Sequence, residues 1–123
     1  GMSVLIIDDE IDVRDSMALL LESWGCLTTS SASEEDAISK LKHQTKNQIS
    51  AIIVDYRLRE DKTGLECATN IMKHLQREIP TLLITGDTES RVIKKLQQSK
   101  IPFMHKPINP QKLSLFLNGL TTN

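Results

Sequence analysis

Aromatic residues are scarce in this chain, with one Trp, one Tyr and two Phe among 123 residues. That leaves no aromatic platform on which nucleic-acid bases could stack, and no separate helix-turn-helix pattern takes its place. Net charge is equally thin. A formal value of -1 gives no general attraction to nucleic acid or to a membrane surface. There are two cysteines, Cys26 and Cys67, both in apolar-periodic stretches without CxxC or Cys/His spacing, so buried free thiols are expected rather than a disulfide or a zinc site. This suits a reducing cytoplasm. No apolar run approaches the roughly 18 residues of a membrane span, and no signal-peptide pattern opens the chain. Neither common glycine-rich phosphate loop occurs, so a nucleotide grip of that kind is not expected.

What remains is a hydrophobic fraction of 39% and a charged fraction of 25%, ordinary for one globular domain over residues 1–123. Gly1 ahead of Met2 reads as a cloning remnant, with the chain cut from something longer. Along the chain, short apolar runs alternate with stretches of helical period. Val4 to Ile7 is the first strand, followed from Ile11 by a helix with Val13, Met17, Leu20, Leu21 and Trp24 on its stripe and Gly25 as its stop. Cys26 to Thr29 is a brief second strand. Ser33 to Asp36 has capping-box spacing for a second helix with Ala37, Ile38 and Leu41 inward, fading near Asn47.

Ile49 to Asp55 is the third strand, apolar enough to be buried on both faces, with a polar loop of eight residues behind it. Thr63 to Glu66 opens a third helix whose buried face is Leu65, Ala68, Ile71, Met72 and Leu75, ending before Pro80. Thr81 to Thr85 is the fourth strand. Asp87 or Thr88 is the expected cap of a fourth helix carrying Val92, Ile93 and Leu96. Ile101 to His105 is the fifth strand, and Asn109-Pro110 starts the last helix through Leu113, Phe116, Leu117 and Leu120. Five strands alternating with five helices predict an α/β fold, a doubly wound parallel sheet with helices on both faces.

In such sheets ligands bind at the carboxyl ends of the strands. The residues there are Asp8 and Asp9 after the first strand, Asp55 after the third, Thr85 after the fourth and Lys106 after the fifth. Carboxylates gathered at one edge repel one another and raise some pKa values unless a cation sits among them. An all-oxygen donor set suits a hard divalent ion such as magnesium, with Lys106 and Thr85 placed for phosphoryl oxygens. The site reads as a phosphoryl pocket.

Over essentially its whole length the chain resembles the receiver domain of two-component response regulators. The likeness rests on Asp8-Asp9, Asp55, Thr85-Gly86 and Lys106-Pro107, each after the strand that the family requires. It implies a flavodoxin-like sheet of strand order 2-1-3-4-5. It further implies that Asp55 is the phosphoacceptor, taking a phosphoryl group from the phosphohistidine of a histidine kinase or histidine phosphotransfer domain. Asp9, Asp8, Asp55 and the backbone carbonyl of Arg57 would hold Mg2+, Thr85 and Lys106 would hold the phosphoryl oxygens, and Lys106-Pro107 would be cis. Thr85 and Phe103 would be the switch residues, and the surface around the fourth helix, fifth strand and fifth helix would change with them. Arg57 and Asp87 stand where the family flanks the attacking water, and they are expected to pair across the pocket mouth; the plain alternative is two solvated charges.

Plain readings accompany the others too. Asp9 could cap the first helix, Thr85 could be an ordinary strand residue and Lys106 a solvated one; only their joint placement argues otherwise. His43 and His74 read as exposed helix residues, and His105 as flanking the site. Arg91, Lys94, Lys95 and Lys100 make the fourth helix basic, most simply a solvated face, with a docking surface as the alternative. The runs around Asp55, Thr63, Thr85 and Lys106 resemble receivers of hybrid sensor histidine kinases, which favours a cytoplasmic piece of such a kinase over a free-standing regulator. A receiver of a DNA-binding regulator, an aspartyl-nucleophile phosphohydrolase and an interaction domain that never carries phosphate are the competitors. The phosphohydrolase would need a second carboxylate where Arg57 stands. Homodimerisation is left open, and neither direct nucleic-acid binding nor membrane contact is expected of this domain.

Overall fold

The computed structural model describes residues 2–42, 49–58, 62–86 and 89–121. Its elements run β1 (Ser3–Ile7), α1 (Ile11–Ser23), β2 (Leu27–Ser31), α2 (Glu34–Lys42), β3 (Ala51–Asp55), α3 (Gly64–Leu75), β4 (Thr81–Thr85), α4 (Ser90–Gln98), β5 (Phe103–His105) and α5 (Pro110–Thr121). All strand pairs are parallel and the order is β2-β1-β3-β4-β5, as the resemblance implied. Every residue of β1, β3 and β4 is buried. The edge strands β2 and β5 are only partly so.

Period-two alternation sorts the central strands onto two apolar layers. Leu5, Ile7, Ile52, Val54 and Leu83 face a core completed by Ala37, Ala68, Ile71, Val92 and Leu96 of α2, α3 and α4. Val4, Ile6, Ile53, Leu82 and Ile84 face Met17 and Leu21 of α1 and Leu113 and Leu117 of α5. Cys67 lies in the first layer and burial pushes its thiol up to about 12, whereas Cys26 is only half-buried; both are free thiols.

Several starts and stops follow the local chemistry. The Asp36 N–H donates to Ser33 Oγ at 3.2 Å, the Glu66 N–H to Thr63 Oγ1 at 3.1 Å, and the Lys112 N–H to Asn109 Oδ1 at 3.1 Å. Gly25 takes the left-handed conformation that ends α1 (φ 86°). Other boundaries move. β2 begins at Leu27 rather than Cys26 and runs on to Ser31, because the Cys26 N–H still bonds back to Leu21 O in the turn that ends α1. β5 begins at Phe103 rather than Ile101, after a left-handed Lys100 and a proline that has no N–H for the ladder. The N-cap of α4 is Glu89, without a side-chain cap bond; Asp87 and Thr88, the expected caps, lie outside the described residues, as do His43 and Asn47.

Candidate functional site

Crossovers turn in opposite directions on either side of β1 and β3, so the crevice of the sheet opens beyond their carboxyl ends. Asp55 is the last residue of β3 and Asp8 follows β1 directly; both are buried. Lys106 follows β5, its N–H bonded to Thr85 O at 2.8 Å, and the Lys106-Pro107 bond is cis, as expected. Its ammonium reaches across the pocket to Asp55 Oδ2 at 3.0 Å, Asp8 Oδ2 at 3.5 Å and Glu10 Oε1 at 3.5 Å. One cation therefore serves three carboxylates.

Backbone groups fix the carboxylates from the other side. The Arg57 N–H donates to Asp55 Oδ1 at 3.2 Å and the Glu10 N–H to Asp8 Oδ1 at 2.8 Å. Arg14 of α1 donates to Asp8 O at 2.7 Å, tying the first helix to the strand end. Gly64, the first residue of α3, is pinned against β3: its N–H bonds Tyr56 O at 2.6 Å, and a Cβ there would sit 2.2 Å from Asp55 O. Only glycine fits that contact.

Burial raises the pKa of Asp8 and of Asp55, and for Asp55 the neighbouring Asp8 charge adds to the rise, against the lowering effect of Lys106. For Lys106 burial acts downward, but the bond to Asp55 and the charges of Asp55, Asp8 and Glu10 outweigh it and hold the ammonium above its ordinary value. Asp8, Asp9, Glu10 and Asp55 bring one ligand oxygen each to within 4.8 Å of one another. Asp8 Oδ2 is buried and accepts no hydrogen bond among the described residues, 3.5 Å from the Lys106 ammonium. A surplus of carboxylate oxygens, one of them unsatisfied, fits a hard divalent cation.

Thr85 is buried at the end of β4, beside Gly86, where an added Cβ would lie 4.0 Å from the Lys106 side-chain stem. Phe103 is half-buried against the α2/α3/α4 layer, and His105 is exposed with its ring edge-on to Phe103 at 5.9 Å between centroids. Asp9, Glu10, Asp55, Arg57, Gly86 and Lys106 line a cleft of about 350 Å³. Arg57 is exposed at its rim, while Asp87 falls outside the described residues, and with it the expected pairing of the two. Asp9 is not the N-cap of α1, a place taken by Glu10.

Sequence reasoning missed Glu10 and Gly64. Glu10 closes the acidic triplet Asp8-Asp9-Glu10, and that run was the available signal. Gly64 was read only as part of a helix start.

A doubly wound sheet with acidic residues and a lysine gathered at its switch point defines a small α/β module. A family model for the response regulator receiver domain matches residues 4–118, and the chain belongs to that family. Among curated proteins it is 31% identical to the two-component response regulator PprB of Pseudomonas aeruginosa, over 96% of this chain and 42% of that protein. It is 26% identical to the phosphate regulon transcriptional regulatory protein PhoB of the same organism, over 92% and 48%. With the CAI-1 autoinducer sensor kinase/phosphatase CqsS of Vibrio cholerae it shares 29% identity, over 85% and 15%. The chain thus spans less than half the length of these relatives. Among solved structures, a receiver domain protein from Clostridium thermocellum superposes with a TM-score of 0.80 at 21% identity, covering 99% of this chain and 95% of that one. Chemotaxis protein CheY4 of Vibrio cholerae gives 0.78 at 24%, covering 97% and 98%. These likenesses establish the fold.

Proposed function

We propose that this receiver domain is a magnesium-dependent phosphoacceptor of a phosphorelay, with Asp55 as the nucleophile. The observation that carries the reading is the contact of the Lys106 ammonium with Asp55 Oδ2 at 3.0 Å inside a four-carboxylate pocket. Asp55 attacks the phosphorus of a phosphohistidine on a histidine kinase or phosphotransfer domain. The new P–O bond forms as the P–N bond breaks, and the imidazole leaves to take up a proton from solvent. Phosphoryl transfer has a loose transition state with charge spread over its oxygens, so the protein contributes position and electrostatics more than covalent chemistry.

Asp8, Asp9, Asp55 and the Arg57 carbonyl would hold Mg2+, which when bound supplies positive charge to the carboxylates and to the phosphoryl oxygens. Lys106 offsets the charge of one phosphoryl oxygen and Thr85 donates its hydroxyl to another. The Arg57 N–H at Asp55 Oδ1 fixes the orientation of the carboxylate, whose Oδ2 meets Lys106. Phosphorylation draws Thr85 inward and repacks Phe103, shifting the population of the α4-β5-α5 surface. Arg57 and Asp87 govern access of the water that hydrolyses the acyl phosphate.

For the parent chain, the hybrid sensor kinase reading is supported by the likeness to a sensor kinase/phosphatase. The likeness to a transcriptional regulatory protein supports a second reading, the receiver of a DNA-binding regulator. Either places the domain in the cytoplasm, and no helix among the described residues is long and apolar enough to cross a membrane.

The test is incubation with acetyl phosphate and Mg2+ followed by intact-mass measurement. A single added phosphoryl group is expected in wild type and none in Asp55→Asn or in EDTA. An unmodified wild type, or an undiminished Asp55→Asn, would overturn the reading.

A further inference from the structure

The basic residues of α4 fall into two sets. Arg91 and Lys95 are one helical turn apart and share a face, and that face lines a second cleft, of about 440 Å³, between α4 and the β3–α3 connection. Arg57 and Lys62 line its opposite wall, while Lys94 and Lys100 do not line it. Tyr56, Leu58 and Val92 supply an apolar lining, held in place by their packing on the core.

Arg91 and Lys62 of this set hold ion pairs. Arg91 meets Glu89 at 3.3 Å in an exposed pair, and Lys62 meets Glu34 at 3.6 Å and Glu35 at 3.4 Å. The exposed Arg91–Glu89 pair contributes little and exchanges readily, whereas Lys62 is held by a largely buried Glu34. Lys95 makes no ion pair among the described residues. No carboxylate lines this cleft among the described residues, in contrast to the phosphoacceptor pocket next to it.

We propose that this cleft binds a compact polyanion, a phosphorylated small molecule whose phosphates lie between Arg91 and Lys95 on one wall and Arg57 and Lys62 on the other. Its volume falls in the range of small-molecule sites. Arginine beside lysine around one volume suits a group with several charged oxygens, Arg as a planar fork and Lys as a point charge. An acidic peptide would instead need the basic strip to continue along α4, and the next cations, Lys94 and Lys100, leave the cleft.

Calorimetric titration tests this with three probes: inorganic pyrophosphate, ADP and an acidic peptide of alternating Glu and Leu. EDTA is present throughout, so that the carboxylate pocket cannot recruit phosphate through a metal ion and a failed phosphoacceptor reading leaves the result untouched. Binding of pyrophosphate or ADP with a Kd below about 1 mM is expected, weakened at least tenfold in Arg91→Glu/Lys95→Glu. It is expected unchanged in Lys94→Glu/Lys112→Glu, which alters net charge equally at exposed positions outside the cleft. ADP binding without pyrophosphate binding locates recognition in the nucleoside body as well as the phosphates; the reverse order assigns it to the phosphates alone. Three outcomes overturn the proposal: neither phosphate probe binds, both double variants weaken binding alike, or the peptide binds where pyrophosphate does not. Melting curves for both variants establish that they are folded.

Discussion

The two ends of the sheet are built from the same strands and both pair their backbone groups, but among the described residues only the carboxyl end buries charged side chains. At the amino end, backbone donors find backbone acceptors: Ser50 N–H with Ser3 O at 2.7 Å, Ile52 N–H with Pro80 O at 2.9 Å, Leu83 N–H with Pro102 O at 3.0 Å. At the carboxyl end, two buried carboxylates and a third exposed one share one ammonium, and Asp8 Oδ2, 3.5 Å from it, accepts no hydrogen bond among the described residues. A buried charge without sufficient compensation costs stability. The difference teaches that the two apolar layers secure the fold, which allows the carboxyl end to hold a charge imbalance, the feature on which the proposed cation and phosphoryl chemistry rests.

The largest effect that would break this contrast is at Gly64, where the carboxyl end is locked to α3. Gly64→Ala drives a methyl group into Asp55 O and is expected to lower unfolding free energy by at least about 3 kcal/mol, read by urea denaturation. A loss below 1 kcal/mol, as for an ordinary helix-start substitution, would mean the seam is looser than drawn.

Next comes the charge itself. Asp8→Asn removes a buried charge without changing shape, and in EDTA at neutral pH it is expected to raise stability by on the order of 1 kcal/mol. The pH dependence follows from the raised pKa values of Asp8 and Asp55. With folded values above the ordinary 3.8, the native state binds more protons than the unfolded chain, so these two groups favour folding at low pH and lose that contribution as pH rises through their folded values. Lys106, also raised, contributes fully below its ordinary 10.5 and loses its contribution above it. Denaturant titrations in EDTA should therefore show wild type gaining on Asp8→Asn as pH falls from neutral towards 4. A constant gap across that range would remove Asp8 from the account.

The smallest effect belongs to an ordinary cap away from the imbalance. Thr63→Ala deletes one side-chain cap bond and is expected to cost about 1 kcal/mol, with no change in response to Mg2+. A changed Mg2+ response would tie the α3 start to the pocket more closely than the contrast allows.

The sequence carried the central strands plainly, because Val4 to Ile7, Ala51 to Asp55 and Thr81 to Thr85 are buried on both faces and so read as apolar runs, although the third strand starts at Ala51 rather than at the expected Ile49. β2 was blurred since its Thr-Thr-Ser-Ser residues lie on a sheet edge and carry no strong hydrophobic signal. Asp8, Asp55 and Lys106 were legible from their places at strand ends, and the structure brings them together. Gly64 was not, because its necessity arises from the approach of Asp55 O, nine residues earlier in the chain. The left-handed end of α3 at Gln76 was equally hidden, as the residue that takes that conformation is not a glycine.

The most direct test of the central claim, that the carboxyl end trades stability for a cation site, is a thermal melt of wild type, Asp8→Asn and Asp9→Asn with and without Mg2+. A ligand that binds only the native state stabilises it by mass action. Mg2+ is expected to raise the melting temperature of wild type and to lose most of that effect in both variants, with Asp8→Asn the more stable protein in EDTA. Equal shifts in all three proteins, or an Asp8→Asn less stable than wild type in EDTA, would contradict the account.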